Sequence, residues 1–263
     1  MLRLWNKIIR KIAYILTHKI SEQDEVIRSS ISRNGSSYIV SDEFYEINDN
    51  NLNYRLRKKG SDINVYKQVI LGKEYQSVID FLIINQKSPS FIIDCGANIG
   101  LTSMLFGNNF KDAIIYSIEP DSSNFGMLNY NTQFNQNIVR INKAIWSEIT
   151  TLKIDRDFRD GQDWSVRTIK ESSTSYDTVK TTTIMELLKA SNKATIDLLK
   201  IDIEGAETEL FKSKNSYEFL NYTNCIALEI HDECVDRQTI YNILKKKSFN
   251  LFNSGELTIG IKN

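Results

Sequence analysis

Beyond Pro89 the sequence alternates short apolar runs rich in Ile, Leu and Val with longer stretches of helical periodicity, and this alternation constrains the fold more than any other feature. Strands buried on both faces read as continuous apolar runs, and the helices between them supply the crossovers of a parallel sheet. Strands are expected at 91–95, 113–118, 138–142, 196–202 and 224–230, with a closing pair at 248–252 and 256–261. Helices are expected at about 100–109, 121–134, 184–192, 205–213 and 235–247. The fold class is therefore α/β, a doubly wound and mostly parallel sheet with helices on both faces. A polar insertion at 147–184 interrupts the pattern, and its pieces Thr151-Leu-Lys-Ile154 and Val179-Lys-Thr-Thr-Thr-Ile184 read as short extra strands that could cover a site.

Upstream, Val69, Ile70, Val78, Phe81 and Leu82 recur at helical spacing and predict a helix over 66–85 leading into the first strand. Residues 21–65 are polar and read as a small extension with minor strands; its run Arg55-Leu-Arg-Lys-Lys59 is expected to be a solvated face. Residues 1–20 form a separate segment. Within it, 2–16 place Leu4, Trp5, Ile8, Ile12 and Ile15 on one side of a helix and Arg3, Lys7, Arg10 and Lys11 on the other. Such a helix fits a peripheral membrane contact, or packing on its own domain or on a second copy. The catalytic domain is then expected to span 66–263.

Bulk properties exclude several classes. The 33 basic residues balance 33 acidic ones, so no nucleic-acid partner is expected, and the oligomeric state is not readable. Cys95, Cys225 and Cys234 are odd in number and lack metal-ligand spacing, which points to a reducing, cytoplasmic setting. No apolar stretch is long enough to span a bilayer.

The chemistry concentrates where strands meet helices. After Phe91-Ile-Ile-Asp94 comes the turn Gly96-Ala-Asn-Ile-Gly100, whose glycines allow close backbone approach. A pyrophosphate-binding turn would have GxGxxG spacing, which is absent here. Asp94 would repel a phosphate but attract the ammonium of an amino-acid ligand, directly or through water, which favours S-adenosylmethionine over a dinucleotide. The second strand ends in Glu119-Pro120-Asp121, where Glu119 can accept both hydroxyls of a ribose and Asp121 or Ser122 can cap the next helix. The loop Asn142-Lys-Ala-Ile-Trp146, with Ala144 and Ile145, is expected to flank the adenine, and Trp146 to lie in the core.

The fourth strand ends in Lys200-Ile-Asp-Ile-Glu-Gly-Ala-Glu207, with Lys200, Asp202 and Glu204 expected on one side. Two carboxylates at a strand end need a partner or a task. Glu207 is divided between a site role and simple service to the helix dipole. The next strand ends in Leu228-Glu-Ile-His-Asp232, bringing Glu229 and His231 beside those acids.

Through Asp94-Cys-Gly-Ala-Asn-Ile-Gly100, Glu119-Pro120-Asp121 and above all Lys200-Ile-Asp-Ile-Glu-Gly-Ala-Glu207, residues 62–232 resemble the FkbM-type family of S-adenosylmethionine-dependent methyltransferases. Cys95 stands where such families more often carry an aliphatic residue. The resemblance implies a Rossmann-like sheet of seven strands with the last antiparallel, and it supports Glu119 as the ribose ligand. It also implies methyl transfer to a hydroxyl of a small molecule or glycan, a sugar foremost, with a secondary metabolite next. Asp94, Gly96, Ala97, Asn98, Gly100, Glu119, Pro120, Asp121, Ala144, Ile145 and Asp202 are then the expected cofactor contacts. His231, oriented by Glu229 or a neighbouring acid, or else Asp202 or Glu204, is the expected general base. A rival arrangement has Asp202, Glu229 and His231 holding a divalent ion, although no metal site is expected by default. A nicotinamide-dependent oxidoreductase and a non-catalytic membrane-associated protein are the remaining alternatives.

Overall fold

A computed structural model describes residues 22–31, 37–49, 52–85, 87–155, 167–169 and 178–262. The expected amphipathic helix at 2–16 and the middle of the 147–184 insertion lie outside the described residues. No described helix is long and apolar enough to cross a membrane.

The extension contributes α1 (Glu22–Ile31) and an antiparallel sheet of β1 (Ser37–Val40), β2 (Phe44–Asp49) and β3 (Leu52–Arg57). The helix expected over 66–85 is two pieces: α2 (Asp62–Tyr66), continued by a π turn over Lys67–Leu71, and then α3 (Gln76–Ile84). Between Leu71 and Val78 no apolar residue keeps the helical spacing except Tyr75, and Lys73 turns the chain through a positive φ of 54°. The break places Glu74 and Tyr75 where a continuous helix would not.

The main sheet begins with β4 (Phe91–Cys95), β5 (Ile114–Ile118) and β6 (Ile138–Ile141), with α4 (Leu101–Asn109) and α5 (Ser122–Asn131) as the first crossovers. The insertion follows as β7 (Ala144–Ile145), β8 (Thr151–Asp155), β9 (Arg167–Ile169) and β10 (Thr178–Thr182), a second sheet in the order β7-β10-β8-β9. The chain then returns through α6 (Ile184–Ser191), β11 (Ile196–Ile201), α7 (Glu207–Phe211), β12 (Thr223–Glu229), α8 (Arg237–Lys246), β13 (Phe249–Ser254) and β14 (Leu257–Lys262).

The seven strands lie in the order β13-β14-β12-β11-β4-β5-β6. β12, β11, β4, β5 and β6 run parallel, and β14 is antiparallel to both of its neighbours. The sequence-based expectation of a mostly parallel, seven-stranded sheet with an antiparallel last strand holds. Because the chain moves outward from β4 to β6 and then restarts on the other side of β4 as β11, the order reverses between β4 and β11. A crevice at the carboxyl ends of these two strands follows from that reversal.

Strand alternation sorts the core into two layers. Ile92, Leu198, Ala227 and Ile259 face Met104 and Phe106 of α4, and the same cluster takes in Tyr45, Tyr54 and Leu56 of the extension. Phe91, Ile93, Leu199 and Ile226 face Leu187, Leu210 and Leu244 on the other side. At about 1.5–3 kcal/mol for each buried large side chain, the shared cluster binds the extension firmly to the sheet.

The basic run of the extension departs from the solvated face expected of it. Arg57 donates to the fully buried Asp62 at 2.7 Å and also to Ser123 and Asn124 of α5. Arg55 pairs with Glu46 and lies over the ring of Tyr130 at 3.8 Å. Lys59 is exposed, so the run is a clamp between extension and sheet rather than a free basic surface. Asp62→Ala would strand a largely buried guanidinium. We expect it to cost about 3–5 kcal/mol, as breaking a buried pair does, measurable by urea unfolding; a loss below about 1 kcal/mol would class the pair with ordinary surface bridges.

Candidate active site

The turn after β4 is shaped by what crosses it. The N–H groups of Gly96 and Ala97 both donate to the carbonyl of Ile118, at 3.0 and 2.9 Å, and Asp202 N–H donates to the carbonyl of Cys95 at 3.1 Å. Gly96 has φ +79°, and a Cβ there would stand 1.7 Å from the carbonyl oxygen of Asp202. Only glycine lets the ends of β4 and β11 pass so closely.

Glu119 braces the same turn. One carboxylate oxygen accepts from Asn98 N–H at 2.8 Å and the other from Asp121 N–H at 2.9 Å. Burial pushes its carboxyl up to about 7, opposed by these amide donors. Each oxygen keeps a second lone pair, so a ribose can still be accepted. Asp121 is buried and caps α5 through Ser123 and Asn124, as expected of the cap, which commits its side chain to the helix; Pro120 leads into it. Gly100 stands at the N-terminus of α4, packed against Leu128 rather than against the crevice.

Asp94, expected to attract a ligand ammonium directly or through water, is engaged within the protein. It is fully buried behind the turn, accepts from Ser103 at 2.5 Å and lies 3.2 Å from the Lys200 ammonium. Lys200 in turn donates to the Gly96 carbonyl at 2.6 Å and stands 3.6 Å from Asp202. Burial works against the Lys200 charge, but Asp94 and Asp202 outweigh it and hold its pKa above the usual lysine range. The charge of Asp94 is therefore spent on fixing Lys200 beneath the turn.

β11 ends at Ile201, so Asp202 and Glu204 sit beyond the strand, in a turn where Glu204 and Gly205 both adopt positive φ, 51° and 83°. The helix expected at 205–213 shortens to α7, Glu207–Phe211. This turn faces the end of β12. The His231 Nδ1 is bonded at 2.9 Å to Glu207, which is completely buried. Of Glu229 and the neighbouring acids expected to orient the ring, it is Glu207 that does so. Service to the helix dipole does not account for a buried carboxylate in such a bond. The other ring nitrogen, Nε2, faces Glu204 at 3.5 Å, Glu229 at 3.7 Å and Asp202 at 4.0 Å. Burial alone would lower the histidine pKa; Glu207, Asp202 and Glu204 together raise it. Burial, with Asp202 next, raises that of Glu229.

A pocket of about 760 Å³ joins the turn at Gly96–Asn98 to the acids around His231, while Asp94, Gly100, Glu119, Pro120 and Asp121, all expected cofactor contacts, are not among the residues that line it. Gly96, Ala97 and Asn98 line one end, and Asp202, Glu204, Glu229 and His231 line its floor. Its far wall was missed by sequence reasoning: Asn64, Lys67, Gln68, Glu74 and Tyr75 come from the broken helix, Arg237 from α8 and Glu256 from the turn between β13 and β14. The signal was present in the Gly72-Lys-Glu-Tyr75 interruption, but nothing local says that it faces the sheet edge. Ala144 and Ile145, expected beside an adenine, are buried in β7 and do not line this pocket. Trp146 is buried with Leu152, Val179 and Ala206, as expected of a core residue.

Compared with models of known families, residues 94–251 match the methyltransferase FkbM domain, more than half of the chain. The chain belongs to this family. It is an S-adenosylmethionine-dependent methyltransferase. Similar solved structures include the precorrin-6y C5,15-methyltransferase of Geobacter metallireducens GS-15, at 11% identity, covering 66% of this chain and 81% of that one with a TM-score of 0.41. A methyltransferase from Geobacter sulfurreducens is 12% identical over 76% of this chain and 89% of its own, with a TM-score of 0.43. M. jannaschii TYW2 in complex with AdoMet is 10% identical over 85% and 87%, also with a TM-score of 0.43. No curated protein matches the chain.

The FkbM methyltransferase pocket suits its cofactor on physical grounds. Its volume lies within the range of small-molecule sites, and its lining is rich in carboxylates, which favour a ligand carrying a sulfonium and an ammonium. Nothing in the turn offers the row of free amides that a pyrophosphate needs, since those of Gly96, Ala97 and Asn98 are already bonded within the protein.

Proposed function

We propose that this FkbM methyltransferase transfers the methyl group to a hydroxyl of a small molecule or glycan, a sugar hydroxyl foremost. The observation that carries this is the single pocket running from Gly96 to His231, with Glu74, Glu229 and Glu256 along its wall. Carboxylates lining a polar cleft are acceptors for the several hydroxyls of a sugar, and the cluster at His231 stands ready to take a proton.

S-adenosylmethionine supplies an electrophilic methyl on a positively charged sulfur. Glu119 holds the ribose, the backbone at Gly96, Ala97 and Asn98 shapes the end of the pocket, and Lys200 fixes Asp202. Placing an acceptor oxygen in line with the methyl yields much of the rate through orientation alone. An alcohol must also lose its proton. Asp202, Glu204 and His231 form the group that receives it, the oxygen pair bonds to the methyl carbon, and the carbon–sulfur pair stays on sulfur.

The test is calorimetric titration with S-adenosylmethionine, followed by an acceptor screen that begins with sugars and reads methyl ethers by mass spectrometry. Glu119→Ala is expected to weaken cofactor binding by roughly a hundredfold, since two hydrogen bonds to a charged acceptor are lost. In the unaltered protein, affinity should rise as pH increases through about 7 and then level, because hydroxyl donors favour the ionised carboxylate whose pKa burial has raised. Equal affinity in Glu119→Ala would remove the ribose role. Methylation confined to nitrogen or carbon acceptors would overturn the hydroxyl reading.

A further inference from the structure

The side chain of His231 is only 3% exposed, and its Nε2 makes no hydrogen bond although it points into the pocket floor. Glu207 explains half of this geometry. Nδ1 is taken by the bond to Glu207, so Nε2 is the ring nitrogen left facing the pocket, the one whose proton a bound cation would displace. Around that lone pair stand carboxylate oxygens of Glu204, Glu229 and Asp202, each between 3.5 and 4.0 Å away. All are too distant for a good hydrogen bond to the ring, and the three side chains are each partly exposed. Three acids gathered round one nitrogen, none touching it, leave a gap lined by one imidazole and several carboxylate donors.

That gap has the dimensions of a cation site. The ligand atoms of Asp202, Glu204 and His231 lie within 4.8 Å of one another. Donors bound to one ion at about 2.0–2.6 Å can stand no more than roughly twice that distance apart. A buried carboxylate on the far nitrogen of the histidine is the usual support of a metal-bound imidazole, fixing its tautomer and orientation. Lys200 stands 3.6 Å from Asp202 but is held more closely by Asp94 and the Gly96 carbonyl, so it offsets only part of the cluster's negative charge.

We propose that Asp202, Glu204 and His231 bind one divalent cation, of the Mg²⁺ or Mn²⁺ kind that oxygen-rich sites prefer, with Glu207 as the residue that positions the histidine. A remaining coordination position would face the pocket. Resting on the hydroxyl reading above, but with the cluster as ligands instead of proton acceptors, the acceptor oxygen would occupy it and lose its proton to solvent more readily; the oxygen pair then takes the methyl carbon and the sulfur keeps the broken bond's electrons, leaving the ion's charge unchanged.

The probe is Mn²⁺ alone, added to the chelator-treated protein without cofactor or acceptor, with free Mn²⁺ read by electron paramagnetic resonance. One ion per chain is expected. His231→Ala and Asp202→Asn should abolish binding, and Glu207→Gln, which keeps a hydrogen bond to Nδ1 but loses the charge, should weaken it about 10–100-fold. Glu218→Gln, an exposed acid that does not line the pocket, should bind Mn²⁺ as the parent does. Circular dichroism and melting of each variant separate a lost site from a lost fold. No Mn²⁺ binding, or equal binding by a folded His231→Ala protein, overturns the site. Hydroxyl methylation at full rate in excess chelator overturns the ion's part in the reaction and leaves the acceptor reading standing. Mn²⁺ bound as expected with no hydroxyl acceptor leaves the site and removes that reading.

Discussion

Gly96→Ala is expected to abolish S-adenosylmethionine binding in calorimetric titration while the protein retains its secondary structure by circular dichroism. Two costs add. A left-handed φ in a residue with a Cβ costs roughly 1–2 kcal/mol. The new Cβ would also lie 1.7 Å from the Asp202 carbonyl oxygen, a contact with backbone that no side-chain rotation relieves. The end of β4 must therefore separate from the turn after β11, and with it move Asp202, the Gly96 carbonyl that holds Lys200, and the Asn98 amide that holds Glu119. Gly255→Ala separates the two costs, because Gly255 also has positive φ, +60°, but nothing lies within 4 Å of its added Cβ. That variant should lose only the dihedral term and bind the cofactor normally. A Gly96→Ala protein that binds as tightly as the parent would mean the turn does not shape the cofactor site.

The difference between these two glycines shows what the sequence could and could not reveal. A turn between a buried strand and a helix demands glycine for reasons that are local, and Gly96 and Gly100 were legible as such. The sheet was legible for the same reason: Phe91-Ile-Ile93 of β4 and Cys225-Ile-Ala-Leu228 of β12 are continuous apolar runs, the pattern of a strand covered on both faces. Glu119 stood out because it follows the second strand at the distance a ribose acid requires. Contacts between distant segments left no such trace. Asp94 and Lys200 are 3.2 Å apart in space but belong to different strands, so one was read as a ligand contact and the other only as sharing a side with Asp202 and Glu204. Glu207 carries the same sequence signature as any acid in a first helical turn, and only the fold reveals that it is buried against His231. Arg55 and Arg57 read as solvated because a charge run usually is; their partners Glu46 and Asp62 lie in elements whose register the sequence does not fix.

His231→Ala is expected to lower turnover by about a hundred- to ten-thousand-fold while leaving S-adenosylmethionine affinity nearly unchanged. The split follows from position. His231 lies at the end of β12, across the pocket floor from the turn, and touches none of the groups around Gly96 and Glu119; its own contact is Glu207. Removing the ring also leaves Glu207 buried without its partner, and the second oxygen of Glu207 has none among the described residues, so the variant should lose stability as well. His231→Gln controls for this loss, since its amide can still donate to Glu207 while offering neither a proton-accepting nitrogen nor an imidazole ligand. If Gln restores the melting temperature but not the rate, the loss belongs to Nε2 and the chemistry there. If Gln restores both, the histidine serves the fold, and the proton must leave through Asp202 or Glu204 instead. Turnover unchanged in both variants would remove His231 from the reaction altogether. The buried Glu207–His231 pair would then be a structural brace holding α7 against the end of β12.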